Sequence, residues 1–101
     1  MVTPSLTALV ADDEQLAREE LCFLLGNIEG VEVVSQAANG VEALEDISRL
    51  GPDVAFLDVQ MPGLTGFEVA RRLLESGTDL AVVFVTAFDH RAIEAFEVNA
   101  V

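Results

Sequence analysis

The sequence contains no lysine, and its five arginines face 18 aspartates and glutamates. Its formal net charge at pH 7 is therefore -13. Nucleic-acid phosphates and anionic membrane surfaces would both be repelled by this charge, so we expect no direct binding to nucleic acid and none to membranes. A surplus of carboxylates favours a divalent metal ion as the ligand instead.

Cysteine and long apolar runs are scarce as well. Cys22 is the single cysteine, which excludes an intrachain disulfide. No apolar run approaches the roughly 20 residues that a membrane helix needs. The start of the chain, Met1 to Pro4, lacks the basic region and apolar run of a secretion signal. Together these absences predict a cytoplasmic protein.

The length of 101 residues allows one compact domain, which we expect to span 1–101. Hydrophobic residues make up 51% of the sequence and charged residues 23%. This balance favours a globular fold over a disordered chain. Because one small domain leaves no room for a second core, we expect any output function to lie outside this sequence.

Short apolar runs alternate along the chain with segments of helical spacing. The apolar runs predict four strands, at 7–11, 31–38, 53–58 and 80–85. In three helical segments the apolar stripes comprise Ala17, Leu21, Leu24, Leu25 and Ile28, then Val41, Leu44 and Ile47, then Phe67, Ala70, Leu73 and Leu74. A fourth helix is predicted from a cap at Asp89 and the apolar residues Ile93 and Phe96.

This strict alternation predicts an α/β fold, a doubly wound parallel sheet with helices on both faces. In such sheets the ligand binds at the carboxyl ends of the strands. Asp12 and Asp13 follow the first strand, Asp58 ends the third, and Thr86 follows the fourth. We therefore expect these residues, which are distant in sequence, to converge in one cleft.

Three crowded carboxylates raise one another's energy unless a cation or a proton relieves them. They predict Mg²⁺ or Mn²⁺, for which Asp13, Asp58 and a backbone carbonyl such as that of Gln60 would be suitable ligands. A carboxylate screened in this way can attack phosphorus and form an acyl phosphate, and Asp58 is the best-placed nucleophile. A simpler explanation stays open for Asp12, Asp13 and Glu14, which could merely complement a helix dipole.

Three sequence blocks carry a family resemblance: Leu9-Val-Ala-Asp-Asp-Glu14, then Asp53-Val-Ala-Phe-Leu-Asp-Val-Gln-Met-Pro-Gly63 with Gly66, then Val85-Thr-Ala87. In this order and spacing they resemble the receiver domain of two-component response regulators, whose fold is flavodoxin/CheY-like. The resemblance implies a signalling phosphoacceptor rather than an enzyme, with a sensor histidine kinase as its partner.

The same resemblance implies a role for each matching residue. Asp58 would accept the phosphoryl group, and Asp12 and Asp13 would bind the divalent cation together with Asp58 and the backbone carbonyl of Gln60. The hydroxyl of Thr86 would engage the phosphoryl group in the active state.

The sequence departs from the family pattern after the fourth strand. Receivers continue into a fifth strand, which bears an aromatic switch residue and a lysine that pairs with the phosphoryl group, and then into a fifth helix. We therefore expect a C-terminally truncated receiver that lacks both elements and self-associates through its exposed fourth strand or last helix. The segment from Ala87 to Ala100 is most similar to receivers that precede LytTR-type DNA-binding domains, which implies a transcriptional output.

Two alternatives remain open from the sequence. A phosphatase of the haloacid dehalogenase class would need a second aspartate two residues after the nucleophile, where this chain has Gln60. A non-phosphorylated protein-interaction or oligomerisation module would need no acceptor at all. Modification of Asp58 distinguishes the receiver from both alternatives.

Overall fold

The computed structural model describes residues 5–85, in which four strands alternate with three helices. The elements are β1 (Leu6–Ala11), α1 (Gln15–Gly26), β2 (Val31–Ala37), α2 (Gly40–Leu50), β3 (Val54–Asp58), α3 (Gly66–Glu75) and β4 (Ala81–Val85). Each strand lies within one residue of its predicted bounds at either end. The predicted fourth helix, with Asp89, Ile93 and Phe96, falls outside the described residues.

The strands form one parallel sheet in the order β2-β1-β3-β4. The predicted parallel α/β architecture is therefore confirmed, and no fifth strand or fifth helix occurs within residues 5–85. Because β1 and β3 are central neighbours, their carboxyl ends meet, with Ala11 paired to Leu57. This pairing decides which loops can share a site.

The main apolar cluster lies between one face of the sheet and the helices α2 and α3. Its buried members include Leu9, Ala11, Ala55 and Leu57 from the strands and Ala43, Ile47, Val69 and Leu73 from the helices. Leu9 and Leu57 are the largest of the side chains that are completely buried, and the burial of each stabilises the fold by roughly 1.5–3 kcal/mol. Helix α1 contacts β1 and β2 and buries Leu25.

The apolar stripe predicted for α3 was wrong in part. The helix buries Val69 and Leu73, whereas Leu74 is 81% exposed and Phe67 is also exposed. Gly66 explains the difference, because its Cα packs against the backbone at the end of β3. The residues three and seven positions after Gly66 then face the sheet, and Leu74 points outward.

The other two stripes need a similar correction. In α2, Ala43 and Ile47 are buried and Val41 is exposed. A Cβ at Gly40 would lie 2.6 Å from the Leu64 Cβ. The start of α2 can therefore approach the β3–α3 loop this closely only because residue 40 has no side chain. In α1, Leu25 is the buried residue, whereas the predicted stripe member Leu24 is exposed. Ile28, which was predicted to continue this stripe, lies beyond the end of α1 and is exposed as well.

Candidate functional site

Asp12, Asp13 and Asp58 lie together at the carboxyl edge of the sheet. Since Ala11 pairs with Leu57, the chain leaves the two central strands side by side. One carboxylate oxygen from each aspartate lies within 4.8 Å of the corresponding oxygens of the other two. The structure thus brings together three of the side chains that were expected to converge. Thr86, the fourth, lies outside the described residues.

The Asp58 carboxyl group has the most strongly perturbed acidity in the site. Its partial burial and the negative charge of Asp12 raise its pKa to about 6 from an ordinary value of 3.8. The charge of Asp13 raises this pKa as well, whereas a hydrogen bond from the backbone N–H of Gln60 acts to lower it. The fold therefore leaves the negative charge of Asp58 only partly compensated, and a cation would relieve it.

The β1–α1 loop carries the other two aspartates in front of helix α1. The Asp12 backbone N–H donates to the Ala37 carbonyl at 3.0 Å, and Asp12 Oδ1 accepts from the Glu14 N–H at 2.9 Å. Glu14 is the N-cap of α1 but makes no capping hydrogen bond with its side chain, and the first turn contains no acidic residue. Asp12 thus bonds the backbone of the α1 N-cap residue through one oxygen and also belongs to the carboxylate cluster. That these acids complement the helix dipole stays a prediction.

The β3–α3 loop holds Asp58 from the other side. The Gly66 N–H donates to the Val59 carbonyl at 2.9 Å. Thr65 caps α3 in a capping box, in which its hydroxyl accepts from the Glu68 N–H and the Glu68 carboxylate accepts from the Thr65 N–H. The start of α3 is consequently fixed against the end of β3, where the candidate nucleophile lies.

The roles predicted for two further site residues, Gln60 and Thr86, are untested. Gln60 is exposed, and its backbone N–H donates a hydrogen bond to Asp58. Its carbonyl as a metal ligand stays a prediction. Thr86 directly follows Val85, which pairs with Asp58 across β3 and β4. Its role as the switch hydroxyl also stays a prediction.

Sequence reasoning did not single out Arg18, whose guanidinium reaches back from α1 to the backbone of Asp12. No motif in the sequence marks this arginine, because the contact depends on how α1 leaves the sheet. The three carboxylates themselves supply only oxygen donors. Such a donor set fits Mg²⁺ or Mn²⁺, which prefer carboxylate oxygens, better than a metal that prefers nitrogen or sulfur.

Comparison with known proteins agrees with this arrangement. Residues 8–101 match the family described as the response regulator receiver domain. This chain belongs to that family. Receiver domains are the signalling domains of two-component response regulators, they bind Mg²⁺ at an acidic pocket, and sensor histidine kinases phosphorylate them.

Several relatives of this receiver are regulatory proteins. It is 56% identical over 95 residues to a response regulatory protein of Vibrio parahaemolyticus, and 50% identical over 97 residues to the positive alginate biosynthesis regulatory protein of Pseudomonas aeruginosa. It is 44% identical over 95 residues to the sensory transduction protein LytT of Bacillus cereus. Each match covers 94% or 95% of this chain but only 39% of the relative. The chain therefore spans about two fifths of their length.

Solved structures show the same fold. The receiver resembles the signal receiver domain of the putative response regulator NarL from Mycobacterium tuberculosis with a TM-score of 0.85 and 34% identity. That match covers 96% of this chain and 78% of the other. Among residues 5–85, none of the helices combines the length and apolar character needed to cross a bilayer.

Proposed function

We propose that this receiver accepts a phosphoryl group on Asp58, with a divalent cation held by Asp12, Asp13 and Asp58. The observation that carries the proposal is the approach of three carboxylate oxygens to within 4.8 Å of one another at the end of the central strands. Such crowding has no benefit to the fold itself, because like charges repel. It becomes useful when a cation and a phosphoryl group share the site.

In the proposed reaction a carboxylate oxygen of Asp58 attacks the phosphorus of a phosphohistidine in a sensor histidine kinase. The new O–P bond forms as the N–P bond breaks, and the departing imidazole nitrogen takes up a proton. With a pKa of about 6, Asp58 is mostly ionised at pH 7 and has its nucleophilic oxygen available. Bound Mg²⁺ would screen the negative charges of the carboxylates and the phosphoryl oxygens from each other.

The surrounding residues orient the nucleophile. The Gln60 backbone N–H holds the Asp58 carboxylate by a hydrogen bond, and Gly66 packs against the Asp58 backbone. Both contacts limit the conformations that Asp58 can adopt before the reaction. We assign the hydroxyl of Thr86 to the phosphoryl oxygens and the Gln60 carbonyl to the cation, in agreement with the motif positions of the family.

The signal would pass to an output region outside this chain. We propose a transcriptional output through a LytTR-type DNA-binding domain, in the cytoplasm. The similarity to the sensory transduction protein LytT and to the positive alginate biosynthesis regulatory protein supports a regulatory output. The net charge of -13 makes the receiver itself unsuited to contact DNA.

Self-association through β4 is a further part of the proposal. Within the described residues β4 pairs with β3 alone, and the side chains from Val82 to Val85 are only partly buried. Apolar strands at the edge of a sheet are common sites of pairing between chains. We expect a dimer or larger oligomer by light scattering, and a monomeric mass over a range of concentrations would contradict this part. The last helix, the other candidate surface, lies outside the described residues.

Incubation with acetyl phosphate and Mg²⁺, followed by intact mass measurement, tests the acceptor. The parent chain should gain one phosphoryl group that is released by hydroxylamine, as an acyl phosphate is. Asp58→Asn should gain none, whereas Asp79→Asn, an equal change at an exposed aspartate, should gain one. Labelling that persists in Asp58→Asn contradicts the assignment. Absence of labelling in every chain contradicts the proposal and favours a non-phosphorylated interaction module.

A further inference from the structure

Arg18 connects three parts of the structure around the carboxylate cluster. It lies in the first turns of α1 and is partly buried. Its Nη1 donates to the Asp12 backbone carbonyl at 2.7 Å, and its Nε donates to Gln36 Oε1 on β2 at 3.3 Å. One side chain therefore ties the β1–α1 loop to the helix after it and to the neighbouring strand.

This contact completes the fixation of the Asp12 backbone. The Asp12 N–H already donates to the Ala37 carbonyl of β2 at 3.0 Å. With Arg18 on the carbonyl, both backbone polar groups of Asp12 have partners, and both connections lead to β2. The side chain of Asp12 and that of the next residue, Asp13, are thus carried by a loop whose position is set before any ligand arrives.

The charge of Arg18 is directed at the loop backbone and not at the carboxylates. Among residues 5–85, the only ion pair within 4.0 Å joins Arg49 and Asp46. An arginine that formed a salt bridge with Asp12 or Asp13 would compete with a metal ion for their oxygens. Bonding the carbonyl instead orders the loop and places no competing cation on the carboxylate oxygens.

We propose that Arg18 is a positioning residue, which holds the β1–α1 loop so that the Asp12 and Asp13 carboxylates are presented to a divalent cation. This inference rests on the proposed function for the identity of the ion, but the effect on the loop does not depend on it. Residues behind metal ligands commonly change metal affinity by 10–100-fold when they are replaced. We expect about a tenfold loss of Mg²⁺ affinity in Arg18 variants.

Two substitutions distinguish positioning from a simple charge effect. Arg18→Lys keeps the positive charge but lacks the planar fork that reaches two acceptors. Arg18→Gln removes the charge. A positive charge repels Mg²⁺, so a charge effect alone would make Arg18→Gln bind Mg²⁺ more tightly and leave Arg18→Lys unchanged. A positioning effect weakens binding in both.

Isothermal titration of the full chain with Mg²⁺ should therefore show weaker binding in both Arg18 variants. Arg71→Gln, with the same charge change at an exposed site on α3, should retain the affinity of the parent within twofold. Tighter or unchanged binding in Arg18→Gln would overturn the inference.

Amide hydrogen exchange without metal gives a second measurement. The Glu14 N–H, which bonds Asp12 Oδ1, should exchange several-fold faster in both Arg18 variants, while the Leu57 N–H in β3 keeps its parent rate. Equal acceleration at both amides would indicate general destabilisation and would overturn the inference, as would an unchanged rate at Glu14. If the parent bound no Mg²⁺, the proposed metal site would fail, but faster exchange confined to the loop would still support the positioning of the loop by Arg18.

Discussion

Gly66 lies so close to the carbonyl oxygen of Asp58 that a Cβ at Gly66 would collide with it. The same hypothetical Cβ would lie 3.1 Å from the Asp58 carbonyl carbon and 3.2 Å from the Val59 Cα. Because all three atoms belong to the backbone, no side-chain rotation can relieve the collision. The absence of a side chain at Gly66 thus lets α3 start directly beside the candidate phosphoacceptor.

Replacing this glycine should disturb both stability and phosphorylation. We expect Gly66→Ala to lower the free energy of unfolding by about 1–3 kcal/mol, as other overpacking substitutions do, and to slow the labelling of Asp58 by acetyl phosphate. Urea unfolding and intact mass measure the two effects. Gly26→Ala is the matched control, since a Cβ at that helical position meets nothing within 4 Å. Equal free energies of unfolding for the two variants would contradict the prediction that the collision at residue 66 destabilises the fold.

Removing the charge of Asp58 should stabilise the metal-free protein. The fold raises the pKa of this carboxyl from 3.8 to about 6, so the ionised form is disfavoured in the folded state. The resulting decrease in the free energy of unfolding is absent below about pH 4, grows as the pH rises toward 6, and is complete above that value. Asp58→Asn should therefore unfold at a higher temperature than the parent at pH 7.5 and at the same temperature near pH 3.5.

The free energy of unfolding should rise by about 1 kcal/mol, since the partial solvent exposure of Asp58 screens much of the effect of its raised pKa. Mg²⁺ should stabilise the parent and leave Asp58→Asn little changed. The role of charge crowding would be contradicted if Asp58→Asn and the parent differed in unfolding temperature by the same amount at pH 7.5 and near pH 3.5.

Asp53 should have the opposite dependence on pH. Its carboxylate accepts hydrogen bonds from the Thr7 backbone N–H at 2.8 Å and from the Thr7 hydroxyl at 3.0 Å, and these bonds lower its pKa. Its contribution to stability is present above the ordinary value of 3.8 and is lost as the pH falls through the lower folded value. Asp53→Asn should thus destabilise the protein at pH 7, with a difference that shrinks in acid.

Denaturant unfolding at several pH values measures this effect, with Asp79→Asn as the control for a changed net charge. The prediction fails if Asp53→Asn and Asp79→Asn show the same stability at pH 7.

Asp13 should contribute to cation binding more than to the fold. Its side chain is exposed, so Asp13→Asn should leave the unfolding temperature of the metal-free chain nearly unchanged. Mg²⁺ affinity should fall by at least tenfold, because one of three clustered carboxylates is lost. Calorimetric titration measures the Mg²⁺ affinity. An affinity of Asp13→Asn equal to that of the parent would contradict the role of Asp13 as a metal ligand.

The limits of sequence reasoning are visible in the helices. Spacing alone located α1, α2 and α3, but it could not decide between faces that both carry large apolar residues. In α3 it favoured the side of Phe67 and Leu74, which are exposed, and omitted Val69, which is buried. The deciding contact was the approach of Gly66 to β3, a distance that involves residues eight positions apart in the chain.

The sequence by itself determined the alternation of strands and helices, the parallel sheet and the presence of acids at strand ends, because hydrophobic periodicity and turn residues are local properties. It also carried the motifs that mark the receiver family. The convergence of Asp12, Asp13 and Asp58 was predicted from their places at strand ends, and the structure confirms it. Only the tertiary structure showed that the pKa of Asp58 is raised and that Arg18 bonds the Asp12 carbonyl. These features depend on strand order and helix placement, which join residues far apart in the chain and therefore leave no local pattern.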